Sequence, residues 1–349
     1  MTIYFQTGFE GCGDTSDCKA LIYDLTTYAF AGYFDYQATA GLGGGKCIRA
    51  MNDYRTDEGL RFRKTVPSAA VGKTLAVGFH VKDGGHGFST SNAYAGAIIG
   101  FIGPGIYITN ESTCMRVFRG GTQIASITGG QYGLGQYHHF EAILFSDASA
   151  GTLTIKVDGK TVYSGTSLNT GGSDITSIQF SSSYGETSRY YDNIYIADAL
   201  QGELKMKLFS PSADDSCDFT PSTGSDNYAM VDDTAPDGDT TYNESSTLNH
   251  ADLFEYEDMA GEELDGSIAA VSIVTIAKKL DAGDRAITHI TEQDATGYDH
   301  TEFYLTTDYV KGHGAFTSLA YEVLNTAPDG SAWTPAIFNA LKLGYEITI

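Results

Sequence analysis

The run Tyr137-His-His-Phe-Glu-Ala-Ile-Leu-Phe145, followed by Thr152-Leu-Thr-Ile-Lys-Val-Asp-Gly-Lys-Thr-Val-Tyr163, decides the fold. Apolar and polar side chains alternate in both, and Thr, Val, Ile, Tyr and Phe dominate. That is the pattern of strands with one buried face. Asp158-Gly159 separates two alternating runs, and Asp-Gly in that position is a strong hairpin signal because both residues tolerate positive φ. Working outward, residues 74–82, 105–109, 115–118, 177–180 and 192–197 also read as strands. No helix of ten or more residues is expected before position 200. Short strands at this spacing predict an antiparallel sandwich.

Residues 200–208 read as a junction. A polar stretch from Pro211 to Glu244 has little periodicity and reads as a long surface loop, ordered or mobile. Strands resume over 267–277, 285–291, 301–306, 316–324 and 344–349. Pro335-Ala-Ile-Phe-Asn-Ala-Leu-Lys-Leu343 predicts one short helix, with Pro in its first turn and Gly344 after its end. The expected fold class is therefore all-β, two antiparallel β-sandwiches. Residues 1–200 form the first, and residues 201–349 form a smaller, acidic one with one short helix.

The 349-residue chain has 44 acidic and 21 basic side chains, a formal net charge of −23. Phosphate recognition rests on Lys and Arg, so nucleic acid is not an expected partner. The same balance argues against docking on anionic membranes. The charge is uneven: residues 1–200 hold 14 basic and 17 acidic residues, whereas residues 201–349 hold 7 and 27. Between Lys207 and Lys278 there are 16 acids and no Lys or Arg. The apolar run 93–108 is broken by Gly96, Gly100, Gly103, Pro104 and Gly105, so membrane insertion is not expected. The first residues lack a basic segment and a long apolar segment, which predicts folding in a cytoplasm. Cys12, Cys18, Cys47, Cys114 and Cys217 show no zinc spacing and read as mostly buried thiols. A Cys12–Cys18 bridge would need an oxidising setting.

The first half resembles the concanavalin A-like or laminin-G-like jelly roll. The residues that carry the resemblance are Tyr137-His138-His139 with Val157-Asp158-Gly159, then Gly43-Gly44-Gly45-Lys46-Cys47-Ile48-Arg49. Leu75 to Val81 and Tyr191-Asp192-Asn193-Ile194-Tyr195-Ile196 complete it. The second half resembles a module of tailed-phage virion proteins, through Phe209-Ser-Pro-Ser-Ala-Asp214, Asp226-Asn-Tyr-Ala-Met-Val-Asp-Asp233 and Asn325-Thr-Ala-Pro-Asp-Gly-Ser-Ala-Trp-Thr334. Together these resemblances imply a structural part of a bacteriophage particle, assembled in the host cytoplasm.

Sugar cleavage on this fold would need paired carboxylates about 5–10 Å apart. No E-x-D-x-x-E string exists, and Glu255-Tyr-Glu257-Asp258 has the wrong spacing. Gly41-Leu-Gly-Gly-Gly-Lys46 lacks the Walker spacing and reads as a turn. His138 and His139 are adjacent on a strand, so one is expected to pack inward and the other to face solvent. Asp232, Asp233, Asp237 and Asp239 are candidate calcium ligands, since hard cations bind clustered loop carboxylates; the alternative is an acidic loop that repels or docks on a basic partner. Tyr190 and Tyr191, next to Arg189, and Tyr132 with Tyr137, are candidate glycan contacts. Trp333 reads as the anchor of a crossover.

The expectation is thus a virion protein that is not an enzyme and needs no cofactor other than candidate Ca2+. It would be tail- or fibre-associated and serve assembly and host-surface adhesion. A capsid decoration protein and a carbohydrate-binding, lectin-like receptor-binding protein are the alternatives. Expected partners are other virion proteins, further copies of the chain and a host-surface glycan.

Overall fold

The computed structural model describes residues 1–10, 12, 34–51, 61–84, 97–182, 188–234, 237, 239–261, 267–305 and 319–349. The chain divides into two compact units, Met1–Met206 and Lys207–Ile349. In both, the sheets formed by the described residues are antiparallel.

The first unit contains β1 (Ile3–Thr7), β2 (Phe34–Gln37), β3 (Cys47–Met51), β4 (Arg61–Thr65), β5 (Thr74–Asp83), β6 (Ala97–Ile102) and β7 (Ile106–Asn110). It continues with β8 (Cys114–Arg119), β9 (Thr122–Thr128), β10 (His138–Phe145), β11 (Gly151–Val157), β12 (Lys160–Leu168), β13 (Ser177–Ser181) and β14 (Ser188–Ala197). One sheet runs β12-β11-β10-β5-β14-β3-β2, with β1 also paired to β14. The other runs β4-β13-β6-β7-β8-β9. The chain crosses between sheets from β3 through β4 and β5 to β6, and again from β12 through β13 to β14. That wrapping makes the sandwich a jelly roll.

The expected Asp158-Gly159 hairpin joins β11 to β12, with φ of 49° and 74° at its two residues. Both values are positive, as the tight primed turn between twisted strands requires. Between the sheets lies an aromatic core. Phe62 stacks on Phe180 at 4.8 Å, Phe79 on Phe140 at 5.1 Å, and Tyr191 meets Phe62 edge-on at 5.5 Å. These five side chains are fully buried. The apolar run 93–108, where described, is the hairpin of β6 and β7, turned by Gly103-Pro104-Gly105. Gly103 and Gly105 have φ of 108° and 72°, and a Cβ on Gly103 would collide with the carbonyl oxygen of Asp174.

One end of the core is closed by charge. The Arg189 guanidinium is fully buried and pairs with Asp83 through Nε and, at 3.3 Å, through Nη2. It also donates to the carbonyls of Ala97 and Ser181, at 2.9 and 3.0 Å. Tyr132 donates to Asp83 at 2.8 Å. A buried pair is sustained only when its remaining donors and acceptors are also satisfied, and these bonds do that while joining both sheets.

The second unit contains β15 (Pro211–Cys217), β16 (Thr220–Pro221), β17 (Asn243–Glu244), β18 (Ala251–Tyr256), β19 (Val271–Ile276), β20 (Ala286–Gln293), β21 (Thr296–Tyr304), β22 (Leu319–Leu324), α1 (Pro335–Ala340) and β23 (Lys342–Ile347). A sheet of order β15-β18-β23-β20-β21 is accompanied by two strand pairs, β16 with β17 and β19 with β22. Trp333 is 5% exposed, donates to the carbonyl of Leu324 at 2.9 Å, and clusters with Ile273, Ala327, Leu341 and Leu343. It anchors the crossover into α1. Thr334 caps that helix by accepting the N–H of Ile337, and Pro335 fills its first turn.

Two expectations need correction here. Gly344 is not a helix C-cap; it lies inside β23, where a Cβ would collide with the backbone of Asp252. The polar stretch from Pro211 begins with an edge strand, β15, and is ordered by carboxylates. Asp252, fully buried, accepts the N–H groups of Asp218 and Phe219 at 3.0 Å, and Asn227 Nδ2 at 3.0 Å. Asp214 accepts the N–H groups of Asn227 and Tyr228 at 2.8 and 2.6 Å.

Candidate functional site

Side chains on successive strand residues point to opposite faces. Phe79, Val81 and Tyr191 face the inter-sheet core, so His80, Lys82, Tyr190 and Asp192 face away from it. Tyr190 on β14 lies directly across from Lys82 on β5 and Arg49 on β3. Tyr137 immediately precedes β10. Lys82 Nζ sits 4.4 Å from the Tyr190 ring centroid and 4.8 Å from that of Tyr137. The result is a row, Tyr137–Lys82–Tyr190–Arg49, in which aromatic rings alternate with cations. All four side chains are half-buried.

The turn at residues 40–46 borders this row. Its Ala40 carbonyl accepts from Lys82 Nζ at 3.1 Å and from the Tyr137 hydroxyl at 2.9 Å. Asp192 accepts the N–H of Leu42 at 2.9 Å. Burial pushes the Asp192 carboxyl up to about 7, against the opposing pull of the N–H bonds from Leu42 and Asn193. Lys46 belongs to the same turn and donates to the carbonyl of Glu10 at 2.5 Å. The glycine-rich segment is thus a turn, as its spacing indicated.

Not every residue read as a sugar contact lies here. Tyr191 is fully buried, donating to the carbonyls of Ile98 and Ser181 at 2.8 Å. Tyr132 is 3% exposed and committed to Asp83. Strand alternation explains the correction: of the adjacent pair Tyr190 and Tyr191, only Tyr190 points outward. Lys82 and Arg49 were missed as neighbours of Tyr190, because cross-strand register is not visible until the strands are paired.

The same outward face carries a second cluster further along. His139 on β10 lies across from His80 on β5, with ring centroids 5.1 Å apart. Glu141 accepts from the Tyr195 hydroxyl. His80, His139 and Glu141 are 2%, 5% and 0% exposed. The expectation for the two adjacent histidines is corrected in one respect. They do point to opposite faces, but the outward one, His139, is covered. His138 bonds Asp158 through Nδ1 at 2.7 Å and lies against the Tyr132 ring.

The four candidate calcium ligands are exposed. Thr241 Oγ1 bonds Asp237 at 2.8 Å and Asp233 at 3.3 Å. Burial and the neighbouring Asp237 carboxylate raise the Asp233 carboxyl above its ordinary range. Asp239 instead pairs with Lys278 at 2.5 Å, so one acid of the set is already neutralised from outside the basic-free stretch. Among the described residues, no group of three or more His, Cys, Asp or Glu is arranged to hold a metal ion. Cys12, Cys47 and Cys114 are buried and Cys217 is half-buried, and none of these four forms a disulfide among the described residues. Cys18 lies outside the described residues.

No family model and no curated protein matches the chain. Among solved structures, a sialidase is similar at 14% identity and TM-score 0.38, over 56% of this chain and 19% of that one. Domain 4 of a GH43 extracellular arabinanase from Geobacillus stearothermophilus, in complex with arabinotriose, is similar at 14% identity and TM-score 0.37. That match covers 56% of this chain and 91% of that domain. A GH131 β-glucanase catalytic domain from Podospora anserina is similar at 11% identity and TM-score 0.35, over 58% and 98%. This chain therefore spans about a fifth of the length of the sialidase.

All three of these structures bear the names of enzymes. That contradicts the expectation of a chain that is not an enzyme, and the expectation is withdrawn. Its reason was an absent sequence motif, and sandwiches of one architecture host both binding and catalysis. The jelly-roll assignment itself rests on the sheet order and registers above. The virion resemblance of the second half gains nothing from these matches.

Proposed function

We propose that the chain is an adhesion and assembly component of a bacteriophage particle, whose first unit contacts a host-surface glycan through the Tyr137–Lys82–Tyr190–Arg49 row. The row itself supports this reading. Aromatic rings offer large apolar surfaces with polar edges, which suit the apolar face of a sugar ring. Lys82 and Arg49 add cationic groups beside the rings, and a few polar groups on an apolar platform orient a small ligand. The particle setting rests on the resemblance of the second half to virion modules. Assembly is assigned to that second unit, where Val274, Leu280 and Tyr304 are 46%, 81% and 63% exposed.

The test is retention of the full chain on immobilised host-surface polysaccharide. The wild type is expected to be retained, and Tyr190→Ala to elute at least tenfold more readily while keeping its unfolding midpoint. Equal retention of the two proteins contradicts the glycan assignment. A monomeric sedimentation profile at high concentration, without affinity for particle proteins, contradicts the assembly role.

A further inference from the structure

Residues 199–206 have no regular secondary structure, yet they are tied to the outward face of the β5–β10–β14 sheet at four points. Gly202 N–H donates to Glu141 Oε1 at 2.7 Å. Gln201 N–H donates to the Tyr195 hydroxyl at 3.0 Å, and Met206 N–H to Asn193 Oδ1 at 3.2 Å. Glu203 Oε1 meets His80 Nε2 at 3.1 Å. The Tyr195 ring fits over Gly78, where a Cβ would strike it. This strap buries a polar patch, and a polar patch without a full set of partners is a weak place to stay closed. His139 Nε2 and Glu141 Oε2 have no hydrogen-bond partner within the described chain.

We propose that residues 199–206 are an acid-released strap: protonation of His80 and His139 frees them from the first unit and lengthens the connection to the second. Geometry supplies the linkage. Closed, the strap keeps two imidazoles 5.1 Å apart out of water; open, it hydrates both. Around His80 stand Glu203 and Lys205 of the strap, Asp158 of the β11–β12 turn, His139 of β10 and Asp192 across the strand pair on β14. Around His139 stand Glu141, Glu203, Asp158 and His80. Those carboxylates favour protonation, but burial outweighs them and holds both imidazoles below their ordinary range. The sign follows. Well above pH 6.5 both groups are neutral in either state. As pH falls below that value the open strap takes up protons that the closed one refuses, so closure is progressively lost.

The test is amide hydrogen exchange of the full chain at pH 7.5 and 5.0, corrected for intrinsic rates. Protection of Gln201, Gly202 and Met206 is expected to fall by about tenfold or more at pH 5.0, one decade for each pKa unit recovered. Residues 151–157 are expected to keep their protection. The variant His80→Gln/His139→Gln is expected to lose the pH difference. Unchanged strap protection in the wild type, an equal fall in the variant, or a fall shared with residues 151–157 overturns the proposal. Should the variant not fold, the wild-type imidazole titrations decide. Midpoints below 6.5 that coincide with strap release support it; midpoints at or above 6.5, or separate from release, overturn it.

Discussion

The two units hold their layers together by different means. In the first, five fully buried aromatic side chains pack between the sheets, and the buried Arg189–Asp83 pair closes one end. The second has a small apolar cluster around Trp333 and relies on carboxylates. Asp252 and Asp214 gather the 214–228 segment, while Glu322 on β22 reaches Thr301 on β21 at 2.8 Å and lies 3.5 Å from His289 on β20. Burial alone would raise the Glu322 carboxyl, but bonds from His289 and Thr301 and the nearby His300 hold it below its ordinary value. Asp252 is fully buried, and it, Asp214 and Glu322 serve as hydrogen-bond acceptors that order their surroundings.

The contrast can be broken from either side. The largest effect is expected in the first unit, from Asp83→Ala. It leaves a fully buried guanidinium unpaired, and breaking a buried pair from one side costs about 3–5 kcal/mol. Urea unfolding should show that loss in the transition of the first unit. Asp252→Ala should come next. It removes the acceptor of the Phe219 N–H and one acceptor each from the Asp218 N–H and the Asn227 amide, which keep the carbonyls of Ala251 and Phe219; one buried orphan costs about 1–3 kcal/mol. The expected sign is loss of protection at residues 218–228 by hydrogen exchange, with β5 and β10 unchanged. Thr334→Ala removes the cap of α1 and should cost about 1 kcal/mol in thermal unfolding.

A pH experiment sharpens the comparison within the first unit. Asp192 has a raised carboxyl pKa, so its contribution is full below about pH 4, fades as pH rises and is gone above about 7. Asp192→Asn should therefore flatten the decline of first-unit stability between pH 4 and 7. A decline of unchanged slope in the variant would show that Asp192 is not its source. Cys217 gives the smallest expected signal. Burial, with Asp252 and Asp214 nearby, pushes its thiol up to about 12, so alkylation at pH 8 should be slower than for a free thiol.

Much of the first unit was legible because its strands obey one rule. β5, β10 and β11 alternate, and Asp158-Gly159 marks the hairpin. β15 escaped because Ser-Ala-Asp-Asp-Ser has no apolar period; it is an edge strand with two bulges, ordered by its pairing to β18. The acid-rich segment around Glu255 hid a strand of the main sheet, β18, because the apolar pair Leu253-Phe254 is too short to show a period. At the candidate site, Tyr190 and Tyr137 were legible as exposed-face aromatics. Tyr191 and Tyr132 were not separable from them, because only the register and the Asp83 contact show them to be core. The strap over His80 and His139 left no pattern in the sequence, since two of its partners, Glu141 and His80, lie far away along the chain.

The most direct test of the account compares the two units by binding. The affinity of the full chain for host-surface polysaccharide would be measured by calorimetry for wild type, Tyr190→Ala and Asp233→Ala. The account predicts at least a tenfold loss for Tyr190→Ala and wild-type affinity for Asp233→Ala. Loss confined to Asp233→Ala would contradict it, placing the contact on the acidic second unit instead.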